Sequence, residues 1–202
     1  MSGGISPDIM KEIEAAQAEA SGGRGLPPIH KWQPDKIVEL DMRIHRDGRW
    51  DYQGSPIGRK RMVKLFSTVL RRDDDGEYYL VTPPEKLHIQ VDDAPFVAVA
   101  MEVKGRKTNE GRDQVLVFTT NVGDITAAGP DAPLRMEIDT ATQEPAPYVL
   151  VRDRLEALIN RAVFYDLVEL GVEEEVDGVL RFGVWSGGIF FPFADAQDVN
   201  AS

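Results

Sequence analysis

Two pairs of arginines are the residues whose placement most suggests chemistry. Arg59 and Arg61 open one stretch with apolar residues at helical spacing, and Arg152 and Arg154 open another. A helix N-terminus already carries partial positive charge, so cations are unfavourable there unless an anion joins them. Guanidinium forks beside free backbone N–H groups suit a phosphate or a carboxylate. Salt bridges to acidic residues are the competing reading, since Asp and Glu total 34 against 23 Lys and Arg.

Other residues add polar or planar contacts. Lys86 ends the stiff loop Pro83-Pro84-Glu85-Lys86, which either aims the ammonium at a ligand or simply joins two strands. Trp50 and Tyr52 alternate and therefore share one strand face, where they stack on a flat ligand or fill a core. Trp185-Ser186-Gly187-Gly188 could turn its backbone N–H groups towards a phosphate, with a tight hairpin turn as the plainer alternative. Ser186 is not in a nucleophile elbow, because Val184 stands where that motif needs glycine. Asp73-Asp74-Asp75-Gly76-Glu77 lacks the spacing of a calcium loop, and His30, His45 and His88 have no metal-ligand framing. Neither a Walker loop nor G-x-G-x-x-G occurs, so no cofactor is expected.

Composition narrows the partners. A net charge of −11 repels a nucleic-acid backbone, so a general nucleic-acid role is not expected. The absence of cysteine excludes disulfides, thiolate metal sites and a thiol nucleophile. The opening MSGGISPDIMKEIEAAQ has neither the basic nor the apolar region of a secretory signal, and no apolar run reaches the length of a membrane span. The expected compartment is the cytoplasm, with no membrane partner.

The elements that must carry these residues read as an α+β chain. Residues 1–25 form a helical or flexible appendage, in which Ile9, Ile13, Ala16 and Ala20 repeat at helical spacing. A domain over 26–93 follows, with a hairpin turn at Asp47-Gly48, a helix from Arg59 bearing Met62, Leu65, Phe66, Val69 and Leu70 on one face, and strands at 78–82 and 87–91. A second domain over 94–194 has strands at 94–104, 115–120 and 134–138. A polar loop over 140–147 then leads to a long helix over 152–170 that Gly171 stops. An acidic turn over 173–178 leads to strands at 179–185 and 189–193, with a tail over 195–202. The strings from Arg59 and from Arg152 both read R-x-R-[ML]-x-x-L-[FI]. This suggests two related tandem domains, each a small antiparallel sheet with one main helix.

Several longer strings carry a family resemblance. D-G-R-W-D-Y-Q-G-S-P-I-G-R from Asp47, L-F-S-T-V-L-R-R from Leu65, Y-L-V-T-P-P-E-K from Tyr79 and V-D-D-A-P-F from Val91 resemble the bacterial family called domain of unknown function 1285. T-N-V-G-D from Thr120, P-L-R from Pro133 and W-S-G-G-x-F-F from Trp185 extend the match to Phe193. Loops at 106–112 and 143–145 depart from it. The resemblance implies a duplication whose second domain is loosely like a pleckstrin-homology fold. It also implies a nucleotide-like ligand where the domains meet and a part in signal transduction. Arg59, Arg61, Arg152, Lys86, Asn121 and Arg135 would then line the site, with Trp50 or Tyr52 against a flat group. Two further classes stay open. A hydrolase of a phosphorylated metabolite would draw its base from Glu85, Asp124 or His88, and a protein-interaction module would dock a signalling partner.

Overall fold

Strict alternation builds the first sheet: in Ile37–Ile44, residues Leu40, Met42 and Ile44 are buried and their neighbours face outward. The computed structural model describes residues 7–19, 25–105, 111–138 and 144–196. The chain forms two compact units, the first ending at Pro95 and the second beginning at Phe96.

The first unit runs α1 (Pro7–Glu19), a short 3-10 turn (Ile29–Lys31), β1 (Ile37–Ile44), β2 (Trp50–Tyr52), β3 (Ser55–Pro56), α2 (Lys60–Thr68), β4 (Leu70–Arg72), β5 (Tyr78–Val81) and β6 (Lys86–Val91). The strand order is β3-β2-β1-β6-β5-β4. β1 and β6 are parallel and the other pairs antiparallel. Phe66 of α2 is fully buried and stacks on Trp50 of β2, ring centroids 6.4 Å apart. The helix is shorter than its apolar stripe. Ser67 and Thr68 donate their hydroxyls to the carbonyls of Lys64 and Leu65, a local alternative to further helix, and Leu70 enters β4. α1 docks on α2 and buries Ile13 and Ala16.

The second unit holds β7 (Phe96–Lys104), β8 (Val115–Thr120), β9 (Ile125–Ala127), β10 (Leu134–Ile138), β11 (Pro145–Arg152), β12 (Leu155–Ile159), α3 (Arg161–Val168), β13 (Val172–Val176), β14 (Val179–Ser186) and β15 (Ile189–Asp195). Its larger sheet has the order β10-β11-β12-β7-β8-β9, with β7 and β12 parallel. Read from the other edge, this is the strand order of the first sheet. β13, β14 and β15 make a separate antiparallel meander.

Several expectations need correction. Residues 152–170 are not one helix. Arg152 ends β11, Asp153 takes a positive φ of 46° in a turn, and Leu155, Ala157 and Ile159 point inward from β12. The helix begins only after Asn160, whose side chain caps it by accepting a hydrogen bond from the Val163 N–H at 2.9 Å. The R-x-R strings thus pair a helix start with a β-turn, and they are not structural counterparts. Both main sheets are mixed and six-stranded, where small antiparallel sheets were expected. Residues 173–176 of the expected acidic turn lie within β13, and β11 begins at Pro145, within the expected 140–147 loop. Gly171 follows α3 for want of space: a Cβ there would meet the Phe182 ring at 2.0 Å. The expectations for Ala20, for residues 106–110 and 139–143 and for the tail from 197 lie outside the described residues.

Candidate functional site

The start of α2 concentrates positive charge without compensation. Arg59 is the N-cap, extended at φ −89° and ψ 100°, and offers no side-chain acceptor to the helix. Lys60 and Arg61 follow, all three side chains are exposed, and the first turn contains no acidic residue. The Met62 and Val63 N–H groups donate to the Arg59 carbonyl at 2.9 and 3.3 Å. The N–H groups of Lys60 and Arg61 have no carbonyl a turn earlier to accept them. Among the described residues, Arg59, Lys60 and Arg61 form no side-chain ion pair.

Most other cations are neutralised. Arg43 meets Asp92 at 2.6 Å and Arg46 meets Asp93 at 3.2 Å. Arg71 is half-buried and clamps the segment before β1. It donates to the carbonyls of Ile29 and Trp32 at 2.9 and 2.7 Å and to Asp73 at 2.5 Å. Lys86 reaches Asp73 at 2.7 Å and lies 4.3 Å over the Tyr79 ring. Burial pushes the Asp73 carboxyl up, but Arg71 and Lys86 outweigh it and hold the group below the usual carboxylate range. Tyr79 donates to Asp75 at 2.9 Å; burial, then Asp75, pushes its hydroxyl up to about 12.

The remaining expected site residues are occupied structurally. Trp50 is 1% exposed and Tyr52 9%, so both rings belong to the core. Arg152 is paired with Asp124 and lies 4.9 Å over the Phe96 ring. Arg135 grips Glu156 through two bonds of 2.6 and 2.8 Å, and also pairs with Glu137. It covers the Tyr148 ring at 4.1 Å, and Glu156 above all raises its pKa. Asn121 accepts a hydrogen bond from the Val97 N–H at 3.0 Å. Ser186 is fully buried. Its hydroxyl donates to the Ala128 carbonyl at 2.7 Å and accepts from the Leu116 N–H at 2.9 Å. The Gly187 N–H donates to Gln114 at 2.9 Å, so the W-S-G-G turn fastens the meander to β8 and its flanking loops.

The three candidate bases also have partners. Glu85 meets Lys36 at 2.5 Å, and Asp124 holds Arg152. His88 lies between Glu39 at 2.8 Å and Glu77 at 3.2 Å. The Glu39 hydrogen bond raises the His88 pKa, against burial and with help from Glu77. A raised pKa means that its stabilisation is complete below the unfolded value of about 6.5 and is lost as pH rises through the higher folded value. Both carboxylates are mostly exposed, so screening limits the effect to ~0.5 kcal/mol. Urea denaturation should find His88→Gln less stable than the parent at pH 5.5 and equal to it at pH 9. An equal deficit at both values would mean that the charge is irrelevant.

Sequence reasoning passed over Lys60, which completes the cationic triplet, and Asn160. Both had signals: the lack of any acid near Arg59, and an Asn three residues before a buried valine. No group of three metal-ligating side chains exists among the described residues, and none of their helices is long and apolar enough to cross a membrane.

The protein thus combines two domains built on one strand order with a cationic helix start. The family models for the N-terminal and C-terminal domains of DUF1285, described as of unknown function, match residues 27–94 and 95–193. The chain belongs to this family. A DUF1285 family protein from Silicibacter pomeroyi DSS-3, solved at 2.50 Å, is 51% identical with a TM-score of 0.79, over 92% of this chain and 97% of that one. Another from Shewanella baltica OS155 is 28% identical with a TM-score of 0.48, over 64% and 91%. No curated protein matches the chain.

Proposed function

We propose that this is a ligand-binding, regulatory protein whose N-terminal domain takes up a small anionic ligand, nucleotide-like in class, with Arg59, Lys60 and Arg61 holding the anionic group. One observation carries the reading: three exposed cations without a described ion-pair partner stand at a helix N-terminus, in a chain of net charge −11. The helix dipole disfavours that arrangement unless an anion arrives to complete it. A part in signal transduction belongs to the same proposal. So does descent of the two domains from one duplicated unit, which the common strand order supports, with the second loosely like a pleckstrin-homology fold.

The test is titration calorimetry with inorganic phosphate and a panel of nucleotides, comparing the parent with Arg59→Ala/Arg61→Ala. Charge-assisted hydrogen bonds contribute about 1.5–3 kcal/mol each, so the double variant should bind at least about tenfold more weakly. Its melting temperature without ligand should hold or rise by about 1–2 °C, because two cations leave the positive end of the helix. Binding unchanged in the variant would place the anion elsewhere. A lower melting temperature would show the arginines to be structural.

A further inference from the structure

The sequence holds three Asp-Gly pairs, at 47–48, 75–76 and 177–178, and each lies in a turn between consecutive strands. In such a pair the glycine nitrogen can attack the carboxyl of the aspartate before it, because glycine has no side chain to block the approach. Two of the pairs are held against this reaction. The Asp47 carboxylate accepts a hydrogen bond from the Arg49 N–H at 2.9 Å, and the Gly48 N–H donates to the His45 carbonyl at 2.8 Å. The Asp75 carboxylate accepts from the Glu77 N–H and the Tyr79 hydroxyl, both at 2.9 Å, and the Gly76 N–H donates to the Asp73 carbonyl at 3.1 Å. The Glu77 N–H above all holds the Asp75 carboxyl below the usual carboxylate range, which depletes the acid form that reacts.

At 177–178 neither group is held. Asp177 and Gly178 are the two residues of the tight turn between β13 and β14, closed by the Val176–Val179 pair. Both are exposed, and both take a positive φ, of 52° and 78°. Among the described residues, the Asp177 carboxyl accepts no hydrogen bond and the Gly178 N–H donates to no backbone carbonyl. A Cβ placed on Gly178 would meet nothing within 4 Å, so the turn has room to change shape.

We propose that Asp177 is a site of spontaneous modification, at which the folded chain isomerises to isoaspartate through a cyclic imide. The Gly178 nitrogen attacks Cγ of the protonated Asp177 carboxyl. The N–Cγ bond forms, the C–OH bond breaks, and the hydroxyl leaves as water with the proton from nitrogen. A second water then opens the ring. Addition at Cγ restores aspartate. Addition at the main-chain carbonyl leaves the chain running through Cβ and Cγ and frees the α-carboxylate. The main chain of the turn is then one methylene longer. A two-residue turn matches the strands it joins only at its normal length, so the Val176–Val179 pair opens.

The experiment ages the full chain at mildly acidic pH, folded and in urea, and measures isoaspartate at each pair. Peptide mapping with a protease that cuts at aspartate but not at isoaspartate locates the change. Methyl transfer from labelled S-adenosylmethionine by a protein isoaspartyl methyltransferase counts the freed α-carboxylates. In the folded chain isoaspartate should accumulate at 177 several times faster than at 47 or 75. In urea, where the restraining hydrogen bonds are lost, the three rates should converge. Asp177→Glu, whose longer side chain closes the ring far more slowly, should remove most of the methyl transfer to the aged folded protein. Hydrogen exchange at the amides of Val176 and Val179 should quicken in the aged parent and not in aged Asp177→Glu. No isoaspartate at 177, equal accumulation at all three pairs in the folded chain, or a spread of rates that persists in urea overturns the proposal. Unchanged exchange beside an isomerised Asp177 overturns the opening of the hairpin.

Discussion

Phe66→Ala is expected to destabilise the N-terminal domain by about 4 kcal/mol, the largest effect of any single substitution considered. Phe66 is fully buried in the last turn of α2 and stacks on Trp50, which is itself 1% exposed. Truncating a buried phenylalanine removes its transfer free energy and leaves a cavity, at a cost of about 3–5 kcal/mol. The cavity cannot close easily here, because Trp50 is held in β2 by the β1 and β3 ladders. Urea denaturation should show a lower midpoint with an unchanged slope. A loss under about 1 kcal/mol would mean that α2 is not anchored through this ring. The consequence reaches function, since α2 carries Arg59 and Arg61. Anion binding should be retained by Phe66→Leu, which preserves the anchor, and in Phe66→Ala should fall in proportion to the fraction of protein that unfolds.

Arg152→Ala is expected to cost the second domain about 3 kcal/mol. Placed at a helix start, Arg152 would be a ligand-holding cation whose removal weakens binding and spares stability. The structure puts it at the end of β11, its side chain 13% exposed and paired with Asp124 at 15%. Removing one member of such a pair takes a close counter-charge from the other where there is little solvent to replace it, at about 3–5 kcal/mol for full burial and somewhat less here. Contact with Phe96 is lost as well. Much of the cost should come from the Asp124 carboxylate losing this counter-charge. Adding Asp124→Asn to Arg152→Ala should therefore restore about half of the loss, and a double-mutant cycle measures that coupling. Additive losses would show that the two side chains act independently. A variant with normal stability and impaired phosphate binding would return Arg152 to the ligand site.

The sequence was most legible where a signal was local. The apolar run Val115–Phe118 marked β8 and alternation marked β10, both to the residue, and Asp47-Gly48 marked the turn between β1 and β2. The first helix and the cationic start of α2 could be read from apolar spacing and from the absence of an acid near Arg59. Residues 152–159 were not legible. Leu155-Glu156-Ala157-Leu158-Ile159 has the composition of a good helix, yet it lies parallel to Phe96–Ala98 as a strand. Propensity differs by only tenths of a kcal/mol per residue, whereas a ladder and the burial of Leu155, Ala157 and Ile159 are worth more. Of its two partner strands, β11 is the neighbouring hairpin arm, but β7 is about sixty residues away in sequence, so no local window contains the parallel ladder that places the segment inside the sheet.

The sites divide along the same line. That Arg59, Lys60 and Arg61 stand together follows from adjacency in the chain, which the sequence states directly. That Arg152 meets Asp124, that Ser186 bridges Leu116 and Ala128, and that Trp50 lies beneath Phe66 are meetings of distant segments. The sequence alone determined which residues are cationic, aromatic or hydroxylic, and where helices and hairpins could begin. Only the tertiary structure decided which of those groups already have a partner, because a charge is neutralised or a hydroxyl satisfied by whatever the fold brings within about 3 Å.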